Sequence, residues 1–195
     1  KIRIIGDKSL SKRDFSRVTV PLEKFGVKFF YKTKNKLPLT ILGTQSAKGI
    51  KYLENKGSAQ CKSSVMLAAL NASGTTSIKA KKSRNHSELL FKYLKIPIKV
   101  RKTKKFDYID IKKPKKINAF NYQIPGDISS SAFFMVLTTL ADDSKLLIKN
   151  VNINPSRVGV ITILKKMGAK ITLKNQRNYR GEKISDILIK SSKKL

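Results

Sequence analysis

The sequence predicts an α/β protein built from a repeated unit of about 70 residues. Apolar stretches with helical spacing alternate with short stretches rich in β-branched residues, an order typical of packed helix and sheet layers. In addition, residues 70–79 are similar to residues 140–149, and each of these segments follows an apolar, helix-like run. Together the alternation and the self-similarity favour a recurring helix, strand, helix and strand.

Arginines and glycines keep the same register in successive repeats. Arg13, Arg84 and Arg157 each lie in a polar loop ahead of a second apolar-periodic stretch. We expect that stretch to form the second helix of each unit. Gly26 and Gly168 follow it at the position where many helices end in the left-handed conformation. A Rossmann unit is disfavoured, because no G-x-G-x-x-G phosphate loop is present.

The segment after the second unit differs from the repeat. Residues 101–116 are strongly charged, and we interpret the alternating FDYIDI within them as an exposed strand. A connecting segment follows, with a turn at Pro125-Gly126. We place a domain crossing within residues 117–126, so that residues 1–121 form part of a first domain and residues 122–195 the first part of a second.

The composition restricts the class of protein. The net charge is +31, from 43 basic and 12 acidic residues, which makes a basic nucleic-acid-binding module one alternative. The basic residues are spread along the chain, however, and zinc-finger pairs and RNP-like aromatic motifs are missing. No apolar run is long enough to span a membrane. The single cysteine, Cys61, excludes an internal disulfide and fits a reducing compartment such as the cytoplasm.

Several longer motifs follow one another along the chain. They are GDKSLSKR (6–13), LPLTILG (37–43), SAQCKSSVMLAAL (58–70), SRNHSELL (83–90), IPGDISSSAFFMV (124–136) and NPSRVGVITILKKMGA (154–169). Each resembles a motif of the 5-enolpyruvylshikimate-3-phosphate (EPSP) synthases, in the same order. The resemblance implies an inside-out α/β barrel of the enolpyruvyl transferase type, built from βαβαββ units and incomplete in this chain.

The resemblance also implies a reaction and its substrates. It implies transfer of the enolpyruvyl group of phosphoenolpyruvate to shikimate 3-phosphate with release of phosphate, and it implies no metal or organic cofactor. Neither nucleic acid nor a membrane is expected as a partner. The positions that match substrate-binding residues of the family are Arg13, Ser58, Ala59, Gln60, Ser83 and His86.

The resemblance gives each of these positions a role. Arg13 would bind phosphoenolpyruvate, and Ser58 with the Ala59 amide would hold the phosphate of shikimate 3-phosphate. Gln60 would lie between the two substrates, and Ser83 would add another hydrogen bond to the phosphate. His86 stands where some relatives have a substrate-contacting tyrosine; it could equally be an ordinary solvated loop residue.

Other features separate this chain from the family pattern. Asp14 replaces the usual proline after the motif arginine, which places a carboxylate near a proposed anion site. Lys8 stands where the related enzymes acting on UDP-N-acetylglucosamine often carry a reactive cysteine, which disfavours that second alternative. An RNA 3′-terminal phosphate cyclase of the same fold would need a nucleotidylated histidine, for which His86 is the single candidate.

Family motifs expected on both sides of these residues are missing, including the catalytic aspartate motif. We therefore expect no catalytic acid or base within the chain and no transferase activity from it alone. We also expect it to self-associate through apolar faces that the rest of the fold would cover.

Overall fold

The computed structural model describes residues 1–192, which divide into two compact units. The first unit comprises Lys1–Ile117, and the second begins at Asn118. The division falls within the segment where the sequence places a domain crossing. That the two units belong to the first and second domains of the family fold, with a boundary after residue 121, stays a prediction.

Helices and strands alternate along the chain. The helices are α1 (Ser16–Glu23), α2 (Ala59–Ala69), α3 (His86–Tyr93), α4 (Ile128–Leu140) and α5 (Gly159–Lys166). The strands are β1 (Ile2–Ile4), β2 (Lys28–Tyr31), β3 (Leu39–Leu42), β4 (Lys51–Glu54), β5 (Thr75–Lys81), β6 (Ile98–Lys102), β7 (Phe106–Lys112), β8 (Lys145–Asn152), β9 (Lys170–Tyr179) and β10 (Glu182–Lys190). The predicted α/β class is confirmed.

The sheets repeat one strand arrangement. Within residues 1–192 the sheets have the orders β1-β3-β2, β4-β5-β7-β6 and β8-β10-β9. In each, the last strand of a repeat lies between two earlier ones and pairs antiparallel with both. Only the middle sheet adds a named fourth strand, β4, parallel to β5. The segment from β4 to β7 therefore has the complete order β, α, β, α, β, β that the repeat requires.

The second helix of each repeat ends in the same backbone conformation. Gly26 after α1 and Gly168 after α5 have φ values of 93° and 99°, so the prediction of left-handed glycines is confirmed. Lys95 occupies the same place after α3 with a φ of 56°. A side chain is disfavoured there, because its Cβ approaches the following carbonyl oxygen. The left-handed backbone conformation is thus kept at this position of the repeat even where the residue is not glycine.

Each unit has its own apolar core. In the first, α2 and α3 cover one face of the sheet formed by β4 to β7, and Val65, Met66, Ala80 and Ile111 are completely buried. In the second, Met135 of α4 packs with residues of the β8-β10-β9 sheet. Burying a side chain of this size stabilises the fold by about 1.5–3 kcal/mol.

One face of α4 is apolar and exposed. Its buried face carries Met135, whereas Phe133, Leu137 and Leu140 on the other face are 79%, 64% and 63% exposed. A cluster of large exposed apolar side chains on one helix is unusual for a surface that faces only water.

Strand β7 corrects one expectation from the sequence. FDYIDI was predicted to be an exposed strand, but β7 lies between β5 and β6, with Ile109 and Ile111 buried. The opposite face of the strand carries Phe106 and Tyr108. The amino group of Lys79 lies over these rings, with its Nζ 4.7 Å from the centroid of Phe106 and 5.9 Å from that of Tyr108. The prediction was wrong because both faces of β7 carry apolar side chains.

We predict that Lys95→Gly stabilises the protein. Glycine relieves the left-handed strain after α3, so we expect the free energy of unfolding to rise by about 0.5–1 kcal/mol. The matched control is Lys92→Gly in the last turn of α3, which should lower the same quantity by about 1 kcal/mol. Urea unfolding followed by circular dichroism measures both. Equal destabilisation by the two variants would contradict the strain at residue 95.

Candidate functional site

The N-terminus of α2 is built to receive an anion. Ser58 is the N-cap residue, and its Oγ accepts a hydrogen bond of 3.3 Å from the Cys61 amide. The hydroxyl proton of Ser58 remains able to donate outward. The amides of Ala59 and Gln60 lie in the first turn of α2, where backbone N–H groups have no intrahelical acceptor, and the helix dipole adds partial positive charge there. Several donors therefore point away from the same helix end.

The turn before α2 is held by an acidic side chain and a glycine. Both carboxylate oxygens of the buried Glu54 accept backbone amides, from Lys56 and Gly57, at 2.9 Å each. Gly57 has a φ of 69°, and a Cβ added to it would lie 3.4 Å from the carbonyl oxygen of Lys82. The loop after β5 thus packs directly against the turn that leads into Ser58.

Ser83 lies on that facing loop. Its Oγ is buried and has no hydrogen-bond partner among residues 1–192, although the residue as a whole is only half-buried. A buried hydroxyl without a partner loses the hydrogen bonds it made to water, and most such groups in folded proteins are satisfied. A ligand oxygen at the start of α2 would supply the missing partner.

A buried lysine ties the same loop to α2. Lys62 Nζ donates to the carbonyl oxygen of Arg84 at 2.7 Å and forms an ion pair with Glu88 Oε1 at 2.6 Å. A second link joins the two elements one residue further on, where the hydroxyl oxygens of Ser63 and Ser87 are 2.6 Å apart. The start of α2 and the start of α3 are therefore connected at two adjacent points.

Lys62 and Glu88 are not predicted as site residues from the sequence. Each is a buried charged residue of its helix, whereas a charged residue is ordinarily assigned to the surface. Arg84 was noted only as a repeat marker, yet it follows Ser83 directly and its side chain is exposed. Its carbonyl is anchored by Lys62 while its guanidinium remains at the surface.

Arg13 lies at the end of a short 3-10 turn, Leu10–Lys12, and its side chain is exposed. Next to it, Asp14 Oδ1 accepts the Ser16 amide at 2.7 Å. The hydrogen bonds from Ser16 lower the pKa of Asp14, and the positive charges of Lys56 and Arg17 lower this pKa further. Lys56 precedes Gly57 in the turn before α2, so the loop carrying Arg13 is within electrostatic range of that turn.

The structure brings most of the predicted residues to one region. Ser58, Ala59 and Gln60 form the start of α2, and Ser83 lies on the loop packed against it. Gln60 is exposed. His86, which follows that loop in sequence, is the half-buried first residue of α3. The individual roles assigned to these residues by the resemblance stay predictions.

The equivalent helix of the second unit begins differently. Asp127 caps α4 by accepting the amides of Ser129 and Ser130 at 3.2 Å each. The hydrogen bond from Ser129 is the largest cause of a lowered pKa for Asp127. The hydrogen bonds from Ser130 and the charge of Arg157 lower this pKa further. Arg157 also donates to the hydroxyl of Ser129. The donors at this helix end are thus satisfied by a carboxylate of the chain itself.

Residues 1–192 contain neither a candidate metal site nor a candidate membrane span. No cluster of three or more His, Cys, Asp and Glu side chains in this range could hold a metal ion. Nor is any helix among these residues long and apolar enough to cross a membrane.

Comparison with known proteins gives consistent matches over nearly the whole chain. The profile of the family EPSP synthase (3-phosphoshikimate 1-carboxyvinyltransferase) matches residues 1–193. A 3-phosphoshikimate 1-carboxyvinyltransferase of Thermoanaerobacter sp. (strain X514) is 41% identical over 191 residues, which make up 97% of this chain and 44% of that protein.

Solved structures also match this chain over nearly its whole length. An EPSP synthase from Acinetobacter baumannii superposes with a TM-score of 0.80 at 39% identity, over 96% of this chain and 42% of its own. The enolpyruvyl transferase NikO from Streptomyces tendae has a TM-score of 0.67 at 12% identity, over 94% and 43% of the two chains, and shows the fold alone.

The fold is therefore that of the enolpyruvyl transferases, and the predicted inside-out α/β architecture is confirmed as an incomplete one. Within that class, the chain belongs to the EPSP synthase family. This contradicts the alternative of an enzyme acting on UDP-N-acetylglucosamine. The chain spans less than half the length of the relatives it matches.

Proposed function

We propose that this chain supplies the shikimate 3-phosphate-binding part of an enzyme that transfers the enolpyruvyl group of phosphoenolpyruvate to shikimate 3-phosphate, releasing phosphate. The observation that carries the proposal is that the loop packed against the turn before α2 carries the buried Ser83 hydroxyl, which has no hydrogen-bond partner in the part of the chain that the structure describes. Helix N-termini bind phosphate through free amides and the helix dipole. A phosphate seated there would also satisfy Ser83.

The phosphate of shikimate 3-phosphate accepts hydrogen bonds from three groups in this proposal. They are the Ser58 hydroxyl, the Ala59 amide and the Ser83 hydroxyl. Hydrogen bonds to a charged acceptor are roughly twice as strong as those between neutral groups, and the partly buried position of Ser58 and Ser83 limits competition from water. The two serines come from different elements, so they hold the phosphate from two sides.

The remaining predicted residues would contact the substrates in other ways. Gln60, exposed on the first turn of α2, would lie between the two substrates. The exposed guanidinium of Arg13 would pair with a carboxylate or phosphate of phosphoenolpyruvate, for which its planar fork is suited. His86 would contact the substrate from the start of α3. The net charge of +31 attracts both anionic substrates to the surface.

The chemistry itself requires groups that these residues do not supply. Adding a proton to the methylene carbon and removing one from the attacking hydroxyl need a positioned acid and base. Ser58, Ser83, Gln60 and Arg13 act in this proposal as hydrogen-bond donors to the anionic groups, and His86 is assigned to substrate contact, not to proton transfer. We propose that the catalytic groups lie outside these residues and that no cofactor takes part. The buried free thiol of Cys61 supports the cytoplasm as the compartment.

We predict that the isolated chain binds shikimate 3-phosphate and that Ser58→Ala and Ser83→Ala each weaken binding about tenfold or more, since each removes a hydrogen bond to a charged group. Isothermal titration calorimetry at about 0.15 M salt measures the affinity, because this salt screens non-specific attraction by distant lysines. Chemical shift changes at the amides of Ser58, Gln60 and Ser83 locate the ligand.

Ser64→Ala is the matched control for this experiment. The Ser64 hydroxyl lies on the same helix but donates to the carbonyl of Cys61 at 2.8 Å. Its removal should change the affinity less than twofold. Wild-type affinity in both Ser58→Ala and Ser83→Ala would contradict the phosphate site.

We predict that the isolated chain does not catalyse the transfer. With both substrates present, phosphate release should equal the rate without protein, because the acid and base groups are absent from the binding residues described above. A colorimetric phosphate assay measures the rate, with the Acinetobacter baumannii EPSP synthase as the positive control. Release above the uncatalysed rate would place catalytic groups within this chain.

We also predict that the isolated chain self-associates through α4. Phe133 and Leu137 expose large apolar surfaces, which favour burial against a second copy. Light scattering should show a mass that rises with protein concentration, and Phe133→Ser with Leu137→Ser should restore the monomer. Leu53→Ser, at a 54% exposed position in the first unit, is the control and should leave association unchanged. A monomer at all concentrations would disprove this prediction.

A further inference from the structure

Lys62 is an unexpected residue to find in the core of the first unit. Its side chain is 0% exposed and is among the largest completely buried side chains of residues 1–192. It also lies on the first turn of α2, where the helix dipole disfavours a positive charge. A buried ammonium group is tolerated only when it is paired and hydrogen-bonded. An apolar side chain of similar size at this position would fill the same volume without needing a charged partner.

The ammonium group of Lys62 makes two contacts on the facing element. One is the carbonyl oxygen of Arg84 at 2.7 Å, and the other is Glu88 Oε1 at 2.6 Å. The first contact fixes the carbonyl group of Arg84, the residue directly after Ser83. The second ties α2 to the first turn of α3. One side chain therefore links the start of α2 both to the loop that carries Ser83 and to α3, beside the contact between Ser63 and Ser87.

The pair acts through geometry, not through attraction of the anion. Glu88 is 3% exposed, so its negative charge cancels that of Lys62 at close range. Glu88 Oε2 is buried and has no hydrogen-bond partner among the described residues. A pair chosen for stability alone would satisfy both oxygens, or would be replaced by apolar side chains, which often stabilise a core equally well.

We propose that the buried Lys62–Glu88 pair is a positioning device that holds Ser83 and Arg84 at the N-terminus of α2, so that the anion site exists before ligand binds. The proposal rests on the proposed function, in which that site holds the phosphate of shikimate 3-phosphate. Neither Lys62 nor Glu88 touches the ligand. They act by fixing the Arg84 carbonyl, and with it the direction in which the Ser83 hydroxyl points.

Two variants separate positioning from simple stabilisation. Lys62→Met with Glu88→Leu removes both charges at similar volume, so the fold is kept while the Arg84 carbonyl loses its donor. Glu88→Gln keeps an oxygen for Lys62 and therefore keeps the Arg84 contact, but it leaves the buried ammonium without a counter-charge. The double variant should be stable and deficient in binding, whereas Glu88→Gln should be destabilised and competent in binding.

The test measures melting temperature and affinity for shikimate 3-phosphate in the 195-residue chain. We expect the double variant to melt at or above the wild-type temperature and to bind at least about tenfold more weakly, since misplacement of a contact group by a fraction of an ångström has effects of this size. Glu88→Gln should melt lower and bind within about threefold of wild type. The control is Lys92→Met at the exposed end of α3, which should change neither quantity.

A second readout does not need a ligand. In the free chain, ¹⁵N order parameters of Ser83 and Asn85 should fall from about 0.85 in the wild type toward about 0.6 in the double variant. If the wild type does not bind shikimate 3-phosphate, the proposed function fails and these order parameters alone decide the positioning role. If the double variant does not fold, Lys62→Met is compared with Glu88→Gln; both are destabilised, and only the first should lose binding.

The proposal is overturned if affinity follows stability across these variants, with the double variant binding as tightly as wild type. It is also overturned if the order parameters of the 83–85 segment are the same in the double variant and the wild type.

Discussion

The packing of α2 and α3 on one face of the four-stranded sheet is the constraint on which the candidate site depends. That sheet buries Ile78, Ala80, Ile109 and Ile111 against the two helices. Because β4 and β5 are neighbouring parallel strands, the turn after β4 and the loop after β5 also emerge side by side at the same end of the sheet. Ser58 and Ser83 are distant in sequence, and this parallel pairing brings together the two segments that carry them.

The same position in the fold is used in opposite ways by the two units. In the first, Ser58 leaves donors of α2 available, and the Ser83 hydroxyl on the facing loop has no hydrogen-bond partner among residues 1–192. In the second, the carboxylate of Asp127 occupies the equivalent helix end. The two units therefore share the same architecture, and the capping side chain determines whether the helix end can receive an external anion.

Much of this could be predicted from the sequence, because it depends on local rules. The caps at Ser58 and Asp127 and the left-handed Gly26 and Gly168 follow from residue type and helix periodicity. The Lys62–Glu88 pair could not be predicted in this way, since its residues are far apart in sequence and a charged residue is ordinarily assigned to the surface. The position of β7 was missed because alternation does not reveal how many neighbours a strand has.

The place of Cys61 in the first turn of α2 has a practical consequence. Its thiol is 3% exposed, and its amide is the group that Ser58 caps. A thiol reagent can reach this sulfur only when the first turn of α2 opens, and the chain has no other cysteine to compete for the reagent. The rate of labelling therefore follows the opening of the helix end itself. Cys61 therefore allows the opening of the proposed anion-binding helix end to be measured without introducing a probe.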